Sequence, residues 1–207
     1  LLFRFALVNQ KGDWFFYIFG VVAGGGNDLL SMINGVYNYT SVTIIPALNG
    51  LMPLWMILFW GQVILLFRKI FAIPALQGEK FTKKGEFLGG WVDKQLVFDC
   101  ILLIILRAVI YRLYLANPWI PASIYFLGIG IRFIIFPPKY NQWLIIATLP
   151  YAYVFEGLLV EFGLYEYYNP AFLGMPGWLF LWWVFLVPIF VKEIFNRFEY
   201  ILENRFK

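Results

Sequence analysis

The chain has 207 residues, of which 62% are hydrophobic, 22% aromatic and only 14% charged. Soluble domains carry about 25% charged residues, so this composition excludes a water-covered globule, and the net charge of +4 bears on membrane topology rather than on nucleic-acid binding. With no histidine and one cysteine, Cys100, histidine triads, histidine metal sites and an intrachain disulfide are excluded as well.

Taken in order, Leu1 to Val8 reads as the tail of an apolar helix that begins upstream of the first residue given. After the polar turn Lys11-Gly12-Asp13, residues Trp14 to Tyr37 are long enough to cross a bilayer core of roughly 30 Å. This span contains Gly24-Gly25-Gly26-Asn27-Asp28, a stop signal in a soluble helix but a surface for close helix contact in a membrane. Asn38 to Gly50 is an uncharged connection, and Leu51 to Phe71 is the next span. Ala72 to Lys94 is the one long polar linker. Gln95 to Leu115 follows as a span carrying Asp99, Arg107 and Arg112. Asn117-Pro118 turns the chain into a span from Trp119 to Phe136, which Pro137-Pro138 breaks. Gln142 to Tyr165 carries Glu156 and Glu161, and Pro176 to Phe195 is the final span before a charged, amphipathic tail.

The chain repeats itself. Asp28, Gly35, Tyr37 and Tyr39 recur as Glu156, Gly163, Tyr165 and Tyr167 at an offset of 128, and Pro53, Trp55 and Trp60 recur as Pro176, Trp178 and Trp183 at 123. The reading is an all-α polytopic helical bundle of seven spans, the first truncated, built as a 3+1+3 parallel internal repeat. Its parts are a first three-helix unit over 1–71, a linker with a linking helix over 72–117, a second three-helix unit over 118–195 and a tail over 196–207. The connections 38–50, 116–118 and 166–175 contain no Lys or Arg. Positive charge is thus confined to one side, which predicts a multi-pass cell-membrane protein with its N-terminus outside and its C-terminus in the cytoplasm.

Asp28 lies 14 residues beyond Trp14 and Glu156 lies 14 beyond Gln142, so each sits about 21 Å into the membrane at 1.5 Å per residue. Acids at that depth are costly and mark a function or a specific partner. The repeat therefore predicts two carboxyls facing one another, Asp28 and Glu156 as acid and base, with Trp60, Trp183, Tyr37 and Tyr165 lining a substrate site. Aromatic faces there would stabilise a developing cation. The bland alternative is that Arg107, at a similar depth, neutralises one of the two acids. Asp99 is in turn expected to pair with Arg4 or Arg132. The tyrosines also stand where an interfacial aromatic belt belongs.

Glu156-Gly157, Phe162-Gly163-Leu164-Tyr165, Gly174-Met175-Pro176 and Trp182-Trp183 resemble motifs of the small seven-helix membrane cyclases and hydratases of isoprenoid metabolism. That group comprises the carotenoid hydratases, the heterodimeric-type lycopene cyclases and the fungal meroterpenoid cyclases. The first copy is a degenerate version of the same pattern. The resemblance implies two three-helix units whose acids protonate a double bond or epoxide of a polyprenyl or carotenoid lipid, with no metal and no cofactor. The partners implied are membrane lipids and an apolar isoprenoid substrate, and no nucleic acid. Two other readings stay open, a small-solute transporter of the SWEET type with the same parallel layout, and a structural membrane subunit whose acids only hold helices together.

Overall fold

The computed structural model describes residues 5, 7, 9–40, 52–77, 80–82, 88–115, 117–137 and 142–205. Among these, six long helices run in chain order: α1 (Asp13–Ile33), α2 (Leu54–Phe71), α3 (Lys94–Leu113), α4 (Trp119–Ile135), α5 (Gln142–Glu161) and α6, in which Leu179–Val184, Phe185–Val191 and Lys192–Arg205 run on without a break. Four segments, Asp13–Ile33, Leu54–Phe71, Trp143–Glu161 and Leu179–Asn204, are long and apolar enough to cross a membrane. The helical, membrane-compatible class predicted above is thus the class observed. The predicted first span falls on residues of which only Phe5 and Leu7 are described; both are helical, and Phe5 stacks on Trp14 at 3.6 Å. Arg4, Gly50, Leu51 and most of the 38–50 connection lie outside the described residues.

Local sequence explains where these helices start and stop. The Asp93 carboxylate accepts the Leu96 amide at 2.8 Å and caps α3. At the other end of α1, Gly35 has φ +72°. Its amide bonds to Met32 O, while the Val36 amide reaches back to Ser31 O. This is a Schellman stop, which needs a left-handed residue and so favours glycine. Gly163, 128 residues on, has φ +65° and ends α5 through the same bonds, from its own amide to Val160 O and from Leu164 to Leu159 O. A Cβ on Gly163 would meet nothing within 4 Å. Gly163→Ala is therefore expected to cost about 1–2 kcal/mol through backbone strain alone, read as a lowered unfolding midpoint in detergent.

The glycine run of α1 does not stop the helix. Gly20–Gly24 widens into a π-helical turn, and the helix resumes as Gly25–Ile33. The reason is contact with α2: a Cβ on Gly24 would stand 2.6 Å from the Trp60 indole, and one on Gly20 would stand 2.7 Å from the Trp60 carbonyl. Small residues let the two backbones close up, as expected for helices that pack in lipid. A second π-helical stretch, Phe185–Val191, contains Pro188 and lies in α6, the most enclosed helix. There Trp183, Phe185 and Ile189 are wholly buried against α5, α4 and α3.

Where the sequence predicts that the spans run on to Tyr37 and Tyr165, the chain instead forms short strands. β1 (Tyr37–Tyr39) pairs antiparallel with β2 (Tyr165–Tyr167), matching Tyr37 with Tyr167, Asn38 with Glu166 and Tyr39 with Tyr165. Exchanging each residue for its counterpart 128 positions away swaps the two outer pairs and keeps the central one, so the ribbon has a local two-fold. It clamps the end of α1 to the end of α5.

The ion pairs gather at the opposite end of the bundle. Arg68 is bound by Asp13 and Glu199, both at 2.6 Å, and Arg197 by Asp93 at 2.9 Å and Glu193 at 2.6 Å. Arg132 meets Asp99 at 2.9 Å with both residues buried, so the expected partner Arg132 is in place, while Arg4, the other one named, lies outside the described residues.

Candidate functional site

At the ribbon end, the last turns of α1 and α5 each aim an acid inward. The Asp28 carboxylate oxygen Oδ2 accepts the indole N–H of Trp60 at 2.6 Å and the Tyr39 hydroxyl at 3.2 Å, and the Tyr37 hydroxyl also interacts with the same carboxyl. Glu156 is held in the same manner. Its Oε1 accepts the Trp183 indole N–H at 2.8 Å, and its Oε2 accepts the hydroxyls of Tyr165 and Tyr167, the latter at 3.1 Å. Each acid thus has one tryptophan from the following long helix and two tyrosines from the adjoining strand. Both acids are buried, at 7% and 8% exposure, so bulk water does not compete for these bonds.

The donors are arranged by chain geometry. Alternate residues of a strand share one face. In Tyr37-Asn38-Tyr39 and Tyr165-Glu166-Tyr167 that face is tyrosine and turns inward, whereas Glu166 is exposed. Burial pushes the phenols of Tyr37, Tyr165 and Tyr167 well above their ordinary value, which keeps them protonated and able to donate. The aromatic-belt expectation therefore fails for these four tyrosines, because their hydroxyls have carboxylates to satisfy. It fits Tyr168, which is half exposed.

The indoles of Trp60 and Trp183 stack across the middle, 6.4 Å apart and 15° from parallel. Together the acids, tyrosines and indoles enclose one cavity of about 40 Å³. That volume suits one or a few waters. Every residue predicted for the site, Asp28, Glu156, Trp60, Trp183, Tyr37 and Tyr165, lines it. The copies diverge one turn earlier, where Trp178 is buried and Trp55 is 38% exposed, because α6 is central to the bundle and α2 is peripheral.

Arg107 does not neutralise either acid. Its Nη2 donates to the Asn27 carbonyl at 3.2 Å, to Ser31 Oγ and to the Tyr111 hydroxyl at 2.6 Å. The guanidinium lies over the Trp182 and Tyr111 rings, 4.7 Å from each centroid. Among the described residues neither Asp28 nor Glu156 makes an ion pair, and no cluster of three His, Cys, Asp or Glu is placed to hold a metal.

Beside the small cavity is a larger one of about 780 Å³, bounded by α1, α2, α3 and α6. Its walls are apolar, among them Leu103, Leu186 and Phe190. Val22, Leu30 and Ile104 line it and are more than half exposed, so it opens sideways between α1 and α3, where lipid would stand. Asn27, Trp60, Arg107 and Trp182 line both spaces and form the wall between them. This chamber had no signal in the sequence, since it is a gap between four helices distant in the chain.

Fold and site together define a helical, membrane-compatible protein with two matched, buried carboxyls, neither in an ion pair among the described residues, beside an apolar chamber. No family model matches the chain, and no curated protein does. Among solved structures, the crystal structure of a cross-linked MvINS trimer is similar, with a TM-score of 0.63 at 12% identity over 92% of this chain and 96% of that one. At that identity the likeness extends to the fold alone.

Proposed function

We propose that the protein is an integral-membrane enzyme that uses Asp28 and Glu156 for acid-initiated cyclisation or hydration of an apolar, isoprenoid-type lipid, without a cofactor. The observation that carries this is the pair of carboxyls in one small cavity, each held by neutral donors and neither tied to a cation among the described residues. A carboxyl locked in an ion pair makes a poor proton donor, and neutral phenol and indole donors hold the carboxylate less strongly than a full positive charge would.

In this reading one carboxyl transfers its proton to a carbon of a double bond, whose electron pair forms the new C–H bond. The cation left on the neighbouring carbon lies near the faces of Trp60, Trp183 and Phe155, which attract positive charge. In cyclisation a second double bond closes on the cation, and the other carboxyl, as carboxylate, removes a proton to restore an alkene. In hydration a water adds and yields its proton to that carboxylate. Either way one proton has passed from one acid to the other, and the cavity water or the tyrosines can return it. The sideways, apolar opening of the chamber supports a lipid substrate over a transported solute, which would need a polar path to both membrane faces.

The same reading takes the chain as a parallel 3+1+3 repeat. It is supported by the two-fold register of the ribbon, the identical glycine stops and the matched Trp–acid–Tyr contacts. Positive-inside bias supports an outside ribbon end and a cytoplasmic C-terminus. A reporter fused after the last residue should then read cytoplasmic and one inserted near Asn169 external; the same side for both would overturn the arrangement.

The deciding experiment is extraction and mass spectrometry of lipids from cells expressing the wild type, Glu156→Gln or no copy. A cyclisation product is isomeric with its precursor, and a hydration product is heavier by one water. Such a species should appear with the wild type only. Identical lipids in all three would sink the enzyme reading.

A further inference from the structure

We infer that the apolar chamber receives a single-chain lipid ending in a carboxylate, and that Arg107 binds that end group. A guanidinium has five N–H donors in a fixed fork. In Arg107, Nε and Nη2 are used by Tyr111, Ser31 and Asn27, all neutral acceptors. Nη1 has no hydrogen-bond partner among the described residues, and the side chain lines the chamber. Asp28 attracts the guanidinium only across space.

A cation held within the membrane without a carboxylate in contact is expensive, and such residues mark a ligand or ion path. Here the neutral partners and the Trp182 and Tyr111 faces fix the guanidinium's orientation while leaving one edge open. Apart from Asn27, Trp60, Tyr111 and Trp182, the residues that line the chamber with Arg107 offer no polar side chain. A single open edge with one positive charge matches a carboxylate, which guanidinium binds through short charge-assisted hydrogen bonds. A diphosphate would bring more charge than one cation can balance. The chamber volume of about 780 Å³ falls within the roughly 300–1,000 Å³ typical of small-molecule sites. Arg107 also stands in the wall shared with the acid cavity, so a carboxylate held there would fix which part of the chain meets Trp60.

This assignment rests on the acid-initiated reading for the fate of the lipid but not for its binding, and the two are separable. The test is equilibrium binding of farnesoic acid, farnesol and farnesene to the purified protein in nanodiscs, for the wild type, Arg107→Gln, Arg107→Lys and Glu156→Gln. Wild type should favour the acid over both other lipids by about tenfold, the scale of a charge-assisted hydrogen bond. Arg107→Gln should lose that preference while binding farnesene as before, which also reports an intact chamber. Arg107→Lys, a point charge without the fork, should retain part of it. If Arg107→Gln binds nothing, the wild-type ranking and Arg107→Lys decide. Equal binding of acid and alcohol in the wild type, or a preference that survives Arg107→Gln, would overturn the assignment. Glu156→Gln should keep the preference, and a wild type that shows the preference but turns over no lipid counts against the enzyme reading alone.

Discussion

Glu156→Gln is expected to lower turnover by at least about 10²-fold, the scale of a lost general acid or base, while leaving the unfolding midpoint in detergent nearly unchanged. The reason is the donor arrangement. The Trp183 indole N–H can only donate, and it requires an oxygen. A glutamine can place its amide oxygen there and its NH₂ toward Tyr165 and Tyr167, whose hydroxyls then rotate to accept. All polar atoms remain paired in that one orientation, so the site keeps its shape and loses only a transferable proton. Asp28→Asn should behave alike, with its amide oxygen on Trp60. Both are measured by pairing lipid turnover with thermal unfolding of the same preparation. A collapse of stability in either variant would mean that the carboxyls chiefly hold the ribbon end of the bundle together. Unchanged turnover in both would remove them from the chemistry.

Asp99→Asn should do the opposite, with a loss of about 3–5 kcal/mol of stability, as for a buried pair deprived of one partner. Asp99 and Arg132 are joined by two hydrogen bonds, at 2.9 and 3.2 Å, and are 0% and 2% exposed. The amide leaves the guanidinium one side-chain oxygen and the Phe136 carbonyl as acceptors but no negative charge to balance it. Arg132→Met on the Asp99→Asn background should recover much of the loss, because it takes away the stranded charge. The double-mutant cycle in detergent measures this coupling, and a single-variant cost below about 1 kcal/mol would show that water reaches the pair. Since this pair belongs to the end of the bundle away from the ribbon, the fraction that stays folded should still act on lipid.

Much of the site was legible because the chain encodes it twice. Asp28 and Glu156, with Trp60 and Trp183, could be drawn together from matched spacing and depth alone, and the described structure places all four around one cavity. The strands were not legible, although Tyr-x-Tyr carried a usable signal: two tyrosines spaced by two share a face only in extended chain. Three residues are too few for an alternation pattern to stand out among so many aromatics, and the ribbon forms only because its partner lies 128 residues away. Whether Arg107 pairs with an acid is open in the sequence for a related reason. Its depth matched that of the acids, but depth says nothing of the direction in which a long side chain turns, and Ser31, Asn27 and Tyr111 hold it away from them.

By itself, then, the sequence determined the membrane-compatible helical class, through apolar runs too long and too poorly charged for water. It also determined which acids correspond, whereas the spans it marks run past the stops of α1 and α5 at Gly35 and Gly163, to Tyr37 and Tyr165. The class and the correspondence are properties of short segments, set by partitioning between water and lipid and by spacing along the chain. Tertiary structure alone decided that the tyrosines turn inward to the carboxylates, that Arg132 rather than Arg107 carries an ion pair, and that α1, α2, α3 and α6 leave a chamber between them. Those outcomes depend on where packed helices place their donors and acceptors, because a buried polar group must be paired wherever a partner can reach it. Which partner can reach is a matter of distances between segments far apart in the chain.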